Sequence, residues 1–369
     1  MRESTSFINQ SAKKLNAPIL ATICPTEHCN LACRHCLGSY GSKSDKNELT
    51  FKTWMKVIES LKGAILKVEV SGGEPFISPK TLHLVRYIKK RKFCTISITT
   101  NGTLINQTLA SALSKLMPQL QFIKVSLDGA TAKVHEYIRG KNTYASTIKG
   151  IKLLRNRNIP VAVASMIHKE TTIEDVEKMY ELAAELDFSV QHGAIFPAGE
   201  ALKRWKSLLP TPAMLNELSE FICKKEKELS VGNTITREEM EQEEYSIKRS
   251  LGRCSAGYKG IAIMSNGMLA ACYLLSLNRF LTNIVDIWKN DSFLKTIRNY
   301  KRDDDMEICK KCQERTSCYK TCIGASYSVF GDFRAPSPYC ILYHEQLDLD
   351  ESLVFPYLKM LERYGIDLD

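Results

Sequence analysis

The feature that most constrains the fold of this 369-residue chain is an alternation of strand-like and helix-like segments between residues 18 and about 200. The strand-like segments are short, apolar and β-branched with little alternation of polarity, which is typical of parallel strands buried on both faces. They are Pro18–Ile23, Ile65–Ser71, Thr95–Thr99, Phe122–Leu127, Val161–Ile167 and Phe188–Ile195.

Amphipathic segments lie between these strands and predict the helices Phe51–Leu61, Pro79–Lys90, Gln107–Leu116, Tyr144–Arg155 and Ile173–Leu186. Thr50 and Ser78 are suited to cap the first two helices, with Pro79 at the first helical position. Repeated βα units predict a parallel sheet covered by helices, either an open doubly wound sheet or a full or partial barrel. In a barrel, functional residues lie on the loops that follow the strands.

Thirteen of the residues are cysteine, an odd number that disulfides alone would leave unpaired. The polar N-terminus lacks the apolar region of a secretory signal, and no window reaches the ~18 apolar residues of a membrane span. We therefore expect a cytoplasmic protein, where metal binding or redox chemistry is a better explanation of the cysteines than disulfides. The ordinary content of 44% hydrophobic and 25% charged residues excludes a largely disordered chain.

Three cysteines follow the first strand directly, as Cys29, Cys33 and Cys36 in a CxxxCxxC spacing. Three thiolates on one short loop can hold three irons of a cubane and leave the fourth iron without a protein ligand. The alternatives are buried structural thiols, or a zinc site that recruits His28 or His35, for which the CxxxC half fits poorly.

Polar residues also follow the next three strands, as Gly72–Pro75, Thr100–Gly102 and Ser126–Gly129. Glycines let a ligand approach the backbone, and Glu74 offers a carboxylate to an ammonium group. A simple turn would explain one such loop, but four in successive βα units indicate a ligand site.

Seven further cysteines lie between residues 254 and 340, after a predicted helix at Pro212–Glu228 and a charged stretch. Gly260–Cys272 predicts a hairpin with the turn Ser265–Gly267, because Asn-Gly is a favoured hairpin turn. Seven thiols exceed one four-coordinate centre and fall one short of two, and two zinc sites remain an alternative. A last helical segment is predicted around Leu353–Tyr364.

The CxxxCxxC loop after the first strand and Gly-Gly-Glu-Pro after the second resemble the radical S-adenosylmethionine (SAM) superfamily. The resemblance implies that Cys29, Cys33 and Cys36 hold a [4Fe–4S] cluster whose open iron chelates SAM. Reductive cleavage would then yield a 5′-deoxyadenosyl radical that abstracts a substrate hydrogen. The residues implied in SAM binding are Gly72, Gly73, Glu74, Pro75, Asn101, Ser126 and Arg139.

The C-terminal cysteines resemble the SPASM domain, which houses two auxiliary [4Fe–4S] clusters. The resemblance implies Cys254, Cys272 and Cys322 for the first cluster, and Cys309, Cys312, Cys318 and Cys340 for the second. Gly260 stands where some relatives supply a fourth ligand to the first cluster, so this cluster is expected to have an open iron or to recruit another ligand. Cys223 is a candidate recruit, whereas Cys24 and Cys94 are expected to be buried hydrophobic residues.

The expected fold class is therefore α/β, with a partial (β/α)6 TIM-type barrel followed by a small cysteine-rich SPASM domain. The expected division is an N-terminal extension 1–17, the barrel 18–210, a helical linker 211–253, the SPASM domain 254–345 and a helical segment 346–369. About 20 residues precede the first strand, so we expect no separate leader-recognition domain at the N-terminus.

The motif texts are most similar to the mycofactocin-maturase branch, which implies a precursor peptide as substrate and a crosslink or other oxidation as product. The alternatives are small-molecule or cofactor chemistry such as oxidative decarboxylation, a sulfatase-type maturase, and a non-catalytic zinc protein. Tyr273 replaces the aspartate that follows the corresponding cysteine in sulfatase maturases, which disfavours that reaction. No general base is assigned, and the electron donor is expected to be a flavodoxin or ferredoxin.

The formal charge of +10 has one concentrated source, the group Arg86, Lys89, Lys90, Arg91 and Lys92. The group ends a predicted helix, where cations complement the helix dipole, so a solvated helix end is the expected explanation. No nucleic-acid signature accompanies it, and neither nucleic acid nor membrane is expected as a partner.

Overall fold

A computed structural model of the chain describes residues 15–41, 47–230, 255–300, 306–313 and 322–366. Nine strands form one sheet in the order β6-β5-β4-β3-β2-β1-β7-β8-β9. The strands are β1 Leu20–Ile23, β2 Lys67–Val70, β3 Thr95–Thr100, β4 Leu120–Ser126, β5 Val161–Ile167, β6 Ser189–Ala194, β7 Gly260–Ile263, β8 Met268–Cys272 and β9 Leu275–Phe280.

The strands β1 to β6 are parallel and follow each other in the order of the sequence. Each connection between neighbouring strands is a right-handed crossover, and all of them step in the same direction along the sheet, so all the helices lie on one face. A doubly wound sheet would have helices on both faces, and this strand order therefore indicates a barrel. The sheet ends at β6 on one side and at β9 on the other, and the barrel is therefore partial. The predicted α/β fold class is confirmed.

The helices in the described parts of the chain agree with the predicted segments and add several short ones. They are α1 Phe51–Ser60, α2 Pro79–Arg91, α3 Gln107–Ser114, α4 Ala132–Arg139, α5 Tyr144–Arg155, α6 Ile173–Leu186, α7 Trp205–Leu208, α8 Pro212–Ser230, α9 Ile284–Asn290, α10 Ser292–Asn299, α11 Glu307–Lys311, α12 Ile323–Phe330, α13 Pro338–Leu342 and α14 Glu351–Glu362. None is long and apolar enough to cross a membrane within the ranges described above.

One face of the sheet is sealed by the helices. Val68, Ile98 and Ile123 are fully buried and share a core with helix residues such as Trp54 and Leu84. Because side chains alternate between the two faces of a strand, the residues between these apolar positions lie on the opposite, concave face.

The predicted hairpin is present, and its position in the sheet is the main unexpected feature. The strand β7 pairs in parallel with β1, so the C-terminal hairpin extends the barrel sheet. The turn forms as Asn-Gly predicts, with Gly267 at a φ of +88° and its N–H donated to the Met264 carbonyl.

Both predicted N-cap residues occupy the N-cap positions of their helices, and one of them makes a side-chain capping hydrogen bond. The Thr50 hydroxyl accepts a hydrogen bond from the Thr53 N–H at the start of α1. Ser78 occupies the N-cap position of α2 with Pro79 in the first turn, as predicted, but its side chain makes no capping hydrogen bond.

Candidate active site at the carboxyl ends of the strands

The loop that carries Cys29, Cys33 and Cys36 follows β1 and is held by backbone hydrogen bonds on two sides. The Cys29 N–H donates to the Gly41 carbonyl, and the Cys36 N–H donates to the Cys33 carbonyl within the loop. Arg34 donates its N–H to the carbonyl of Ile138 in α4. The three thiols are therefore presented by a fixed backbone.

Each of the three sulfurs has a positive or N–H group beside it. The Leu31 N–H lies 3.5 Å from the Cys29 sulfur, and the Tyr40 N–H lies 3.4 Å from the Cys36 sulfur. Arg139 Nη1 lies 3.9 Å from Cys33 Sγ. Donors aimed at thiolate sulfurs are the second shell that an anionic iron–sulfur cluster requires, so these residues fit such a cluster.

Burial disfavours the thiolate form of two of the three cysteines. Burial raises the pKa of Cys29 to about 11 and also raises the pKa of Cys33. A buried thiol loses its proton when a metal supplies the compensating charge, because the thiolate is the ligand. Within the described ranges, no group of three or more His, Cys, Asp or Glu side chains is arranged to hold a metal ion.

The two glycines after β2 pack against the cysteine loop. A Cβ on Gly73 would lie 2.3 Å from the His28 carbonyl oxygen, and one on Gly72 would lie 2.5 Å from that of Thr26. The Gly73 N–H donates to the Thr26 carbonyl, and the Glu74 N–H donates to that of His28. Close approach of two loops therefore already requires the glycines, a reason that differs from the expected access for a ligand.

Glu74 is fully buried and its carboxylate is occupied by the protein. Its Oε1 accepts from the Thr100 hydroxyl at 2.8 Å and from the Phe76 N–H at 3.1 Å, and its Oε2 accepts from the Asn101 N–H at 2.8 Å. The expectation that this carboxylate is offered to an ammonium group is not met, because it ties the end of β2 to the end of β3. Pro75, also buried, begins the short 3-10 turn that follows.

Asn101 connects the end of β3 to the cysteine loop. Its side-chain amide donates to Asn30 Oδ1 at 2.9 Å, and its Oδ1 accepts from the N–H and the hydroxyl of Thr103. Asn30 lies next to Cys29, so Asn101 fixes the loop rather than presenting a free amide to solvent.

Arg139 and Asp128 form a buried ion pair beside the third cysteine. Arg139 Nε lies 2.7 Å from Asp128 Oδ2, with side-chain exposures of 11% and 0%. Burial is the largest single influence on the pKa of Asp128 and would raise it. The positive charge of Arg139, together with nearby histidines and the Met166 N–H, outweighs burial and lowers that pKa to about 2. The guanidinium is thereby held between a carboxylate and the Cys33 sulfur.

Ser126 is the last residue of β4 and is paired in register with Ala164. It is half-buried and lies on the concave face at the same end of the sheet as the cysteine loop. The structure therefore brings every residue predicted to bind SAM to one edge of the sheet.

The loop after β6 packs against the cysteine loop from the side opposite the glycine pair. A Cβ on Gly199 would lie 2.5 Å from the Cys36 carbonyl oxygen, and Glu200 donates its N–H to that oxygen. Arg34 stacks over Tyr137 at 4.3 Å and donates to the Ser207 hydroxyl at 3.1 Å.

The sequence interpretation missed Glu48, which anchors the start of the loop. Glu48 accepts from the Thr26 hydroxyl, from the Glu27 N–H and from Lys80 Nζ at 2.8 Å. A lone glutamate between a charged turn and a helix carries no local signal of this role, which only the tertiary fold creates.

The C-terminal cysteines lie in two places. A Cβ on Gly324 would lie 3.3 Å from the sulfur of Cys272, and Cys322, two residues before Gly324, caps α12. Cys309 and Cys340 contact a second apolar core built from α8, α12, α13 and α14, and Cys312 follows α11. Cys254 and Cys318 lie outside the described residues.

The remaining cysteines are distributed as follows. Cys24 and Cys94 are buried, as expected of small hydrophobic residues. Cys223 is on α8 and lies near Tyr180 of α6, whose ring contacts His192 of β6. Because β6 is at the opposite end of the sheet order from β8, which carries Cys272, this position does not favour Cys223 as the recruited ligand.

Comparison with known proteins agrees with this geometry. The radical SAM superfamily model matches residues 23–183, and the model of the SPASM iron–sulfur cluster-binding domain matches residues 254–313. The mycofactocin maturase MftC of Mycobacterium ulcerans is 27% identical over 343 residues, which cover 91% of each chain. The AdoMet-dependent heme synthase of Methanosarcina barkeri is 28% identical over 353 residues, which cover 88% of this chain and 97% of that protein.

A solved structure shows the same fold. Streptococcus suis SuiB bound to its precursor peptide SuiA superposes with a TM-score of 0.63 at 19% identity, covering 87% of this chain and 76% of SuiB. Both family models match in the order found here, with the cysteine loop within the first and the C-terminal hairpin within the second. This chain therefore belongs to the radical SAM superfamily of enzymes and carries a SPASM iron–sulfur cluster-binding domain.

Proposed function

We propose that this enzyme modifies a ribosomally made peptide by abstracting a hydrogen atom from it, which gives a crosslink or another oxidised product. The observation that carries the proposal is the similarity to a mycofactocin maturase along 91% of both chains. SuiB, which has the same fold, was crystallised with a precursor peptide.

Family membership implies SAM, a [4Fe–4S] cluster and auxiliary clusters in the SPASM domain. We assign Cys29, Cys33 and Cys36 to the SAM cluster, with one iron left open. When bound, these groups supply one-electron cleavage of SAM and hydrogen-atom abstraction. The donors beside the three sulfurs support the assignment.

We propose that the residues expected to bind SAM divide into those that contact it and those that position the contacts. The guanidinium of Arg139 and the hydroxyl of Ser126 are suited to a carboxylate, since a planar fork of N–H donors matches that group. The backbone at Gly72, Gly73 and Pro75 is suited to an amino group. Glu74 and Asn101 act as positioning residues, because their side chains are already bonded to the protein.

For the auxiliary clusters we propose Cys254, Cys272 and Cys322 at one site, and Cys309, Cys312, Cys318 and Cys340 at the other. The proximity of Cys272 and Cys322 around Gly324 supports the first set, and the shared core beneath Cys309 and Cys340 supports the second. The first cluster then has three cysteine ligands. The auxiliary clusters would suit net oxidation of a substrate, because the electron left on the product radical needs an acceptor.

The domain division proposed from the sequence is kept, with boundaries at residues 17, 210, 253 and 345. The electron donor is proposed to be a flavodoxin or ferredoxin, and the compartment the cytoplasm. Neither nucleic acid nor a membrane takes part in the proposal.

Cofactor chemistry is the second candidate, because the heme synthase relative is 28% identical and matches over 97% of its own length. In that case the product would be a decarboxylated porphyrin rather than a modified peptide.

The test is anaerobic incubation of the cluster-loaded enzyme with SAM, reductant and each short peptide encoded beside its gene. We expect a change in peptide mass that depends on SAM and is absent in a Cys29/Cys33/Cys36 triple alanine variant. Cys94→Ala is the matched control, because this buried cysteine is remote from the loop and is expected to retain activity. No mass change in any peptide, together with loss of carbon dioxide from a porphyrin-like precursor of heme, would reject the peptide in favour of the second candidate.

A further inference from the structure

The concave face of the barrel sheet carries a polar cluster that the proposed function does not use. Lys67 and Glu69 on β2, Thr99 on β3 and Lys124 on β4 are half-buried, whereas Val68 and Val70 on the other face of β2 are fully buried. Strand pairing places Glu69 beside Ser97, and Thr99 beside Lys124. The face is therefore polar and partly accessible, and it extends from Lys67 at the amino end of β2 toward the carboxyl ends of the strands.

The two lysines of this cluster share one region. Lys67 Nζ lies 4.5 Å from the centre of the Phe122 ring, so the side chain reaches across β3 to β4. Phe122 and Lys124 are two residues apart on one strand and therefore share a face. Burial lowers the pKa of Lys67, and the positive charge of Lys124 lowers it further, opposed by Glu69.

The charges of the cluster are not balanced. Glu69 Oε1 accepts from the Thr99 hydroxyl at 2.9 Å, and Glu69 is the one carboxylate whose charge acts on the pKa of Lys67. In the described parts of the chain, neither lysine forms a hydrogen bond or an ion pair; Lys67 contacts the Phe122 ring and feels the charge of Glu69. Two ammonium groups thus face one carboxylate.

A buried hydroxyl beneath the lysines also lacks a partner. Ser97 is 2% exposed, and its Oγ has no hydrogen-bond partner among the described residues. In register it lies between Glu69 and Phe122, below the path of the Lys67 side chain. Buried hydroxyls are normally satisfied, so this one indicates a place for a polar group that is not part of the protein.

We propose that Lys67 and Lys124 bind a carboxylate of the substrate, and that the substrate is therefore a peptide with a carboxylate close to its reacting residue. The inference rests on the proposed function and adds a requirement on the peptide. Lys124 lies two residues before Ser126, and Phe122, which the Lys67 ammonium contacts, lies four residues before it. At 3.3 Å per residue the two lysines therefore act about 7 to 13 Å below the strand ends. That distance spans about two to four residues of an extended peptide, so the carboxylate is a C-terminus or an Asp or Glu side chain within about four residues of the reacting position.

The test measures binding and needs no turnover. The enzyme loaded with clusters and SAM is titrated anaerobically with four synthetic probes by saturation-transfer NMR. One pair is pentaalanine with a C-terminal acid or amide, and the other is an acetylated, amidated pentapeptide with a central Asp or Asn. We expect at least one acid probe to bind about tenfold more tightly than its neutral partner, as a charge-assisted contact provides. A preference within the first pair identifies a C-terminal carboxylate, and a preference within the second pair identifies an Asp or Glu side chain.

The variants Lys67→Met and Lys124→Met remove the charge and keep most of the aliphatic stem. We expect each to reduce the ratio to below about threefold, while Lys149→Met, at an exposed position on α5, leaves it unchanged. SAM cleavage without substrate is measured on every variant and should be retained, which shows that the site is assembled. Equal binding of acid and neutral probes by the native enzyme, or a ratio that survives both substitutions, would overturn the proposal. Neither result depends on whether a peptide is modified, so failure here is distinct from failure of the proposed function.

Discussion

Replacing Gly73 by alanine tests whether the close approach of two loops holds the cysteine loop in place. The new Cβ would lie 2.3 Å from the His28 carbonyl oxygen and 2.5 Å from that of Glu27. Both contacts are to backbone, so no side-chain rotation can relieve them. Gly73 has no positive φ, and the effect of the substitution is therefore steric.

The magnitude follows from the bonds that must stretch. The cysteine loop has to retreat by about 0.7 Å for the nearest contact to reach 3.0 Å. That shift lengthens the 3.0 Å bond from the Gly73 N–H to Thr26 and the 2.9 Å bond from the Glu74 N–H to His28 beyond hydrogen-bonding distance. Two lost backbone bonds at about 1 kcal/mol each give about 2 kcal/mol of local destabilisation.

Hydrogen–deuterium exchange of the holoenzyme measures this locally. We expect the fragments covering 24–36 and 72–78 to exchange about 30-fold faster in Gly73→Ala, since 1.4 kcal/mol corresponds to tenfold. Gly260→Ala is the control, because its Cβ would meet only the flexible Leu20 side chain at 3.3 Å. Exchange within threefold of the native enzyme in both fragments, with normal iron content, would refute the steric argument.

Four further outcomes are expected. Asp128→Asn leaves the buried Arg139 guanidinium unpaired, so the free energy of unfolding should fall by about 3 kcal/mol, measured as a lower urea midpoint; an unchanged midpoint would contradict the ion pair. Glu48→Gln removes the charge that pairs with Lys80, where the side-chain exposures are 28% for Lys80 and 15% for Glu48, and should lower the free energy of unfolding by about 1 kcal/mol. Its control is Glu177→Gln, which removes a more exposed carboxylate paired with Lys225 and should lower it by less. Tyr339→Phe removes one hydrogen bond to the Pro210 carbonyl and keeps the buried ring, so about 1 kcal/mol is expected in the same assay. The Cys29/Cys33/Cys36 triple alanine variant should retain about eight irons in two auxiliary clusters, and fewer than about seven by iron analysis would reject the two-cluster assignment.

The barrel was predictable because its signals are local. The predicted strand Val161–Ile167 and the predicted helix Ile173–Leu186 begin and end at the same residues as the observed elements. In both, the apolar pattern spans the whole element. Short elements lack such a pattern. The helix α4 has eight residues and buries only Val134, His135 and Ile138, which is too few to establish a period.

Tertiary contacts account for the remaining differences. The pairing of β7 with β1 could not be read from the sequence, because a strand that follows a long connection can join either edge of a sheet. Glu74 appeared free for a ligand because its partners at Thr100 and Asn101 lie 26 and 27 residues away. The sequence identifies which residues meet at the site, but whether each carboxylate faces a ligand or the protein depends on distant backbone N–H groups.

The hairpin and the cysteine loop form one structural unit across the proposed boundary between barrel and SPASM domain. The Cys24 N–H donates to the Ile263 carbonyl, the Ser265 hydroxyl donates to Glu27, and the Leu49 N–H donates to the Ser265 carbonyl. Without β7, the strand β1 would become an edge with unpaired backbone groups. The start of the cysteine loop would lose the bonds at Cys24 and Glu27, and the segment after the loop would lose the bond at Leu49. The C-terminal hairpin therefore helps to position the thiols assigned to the SAM cluster, in addition to carrying Cys272. A substitution at the hairpin turn can thus alter the N-terminal cluster without touching any of its ligands.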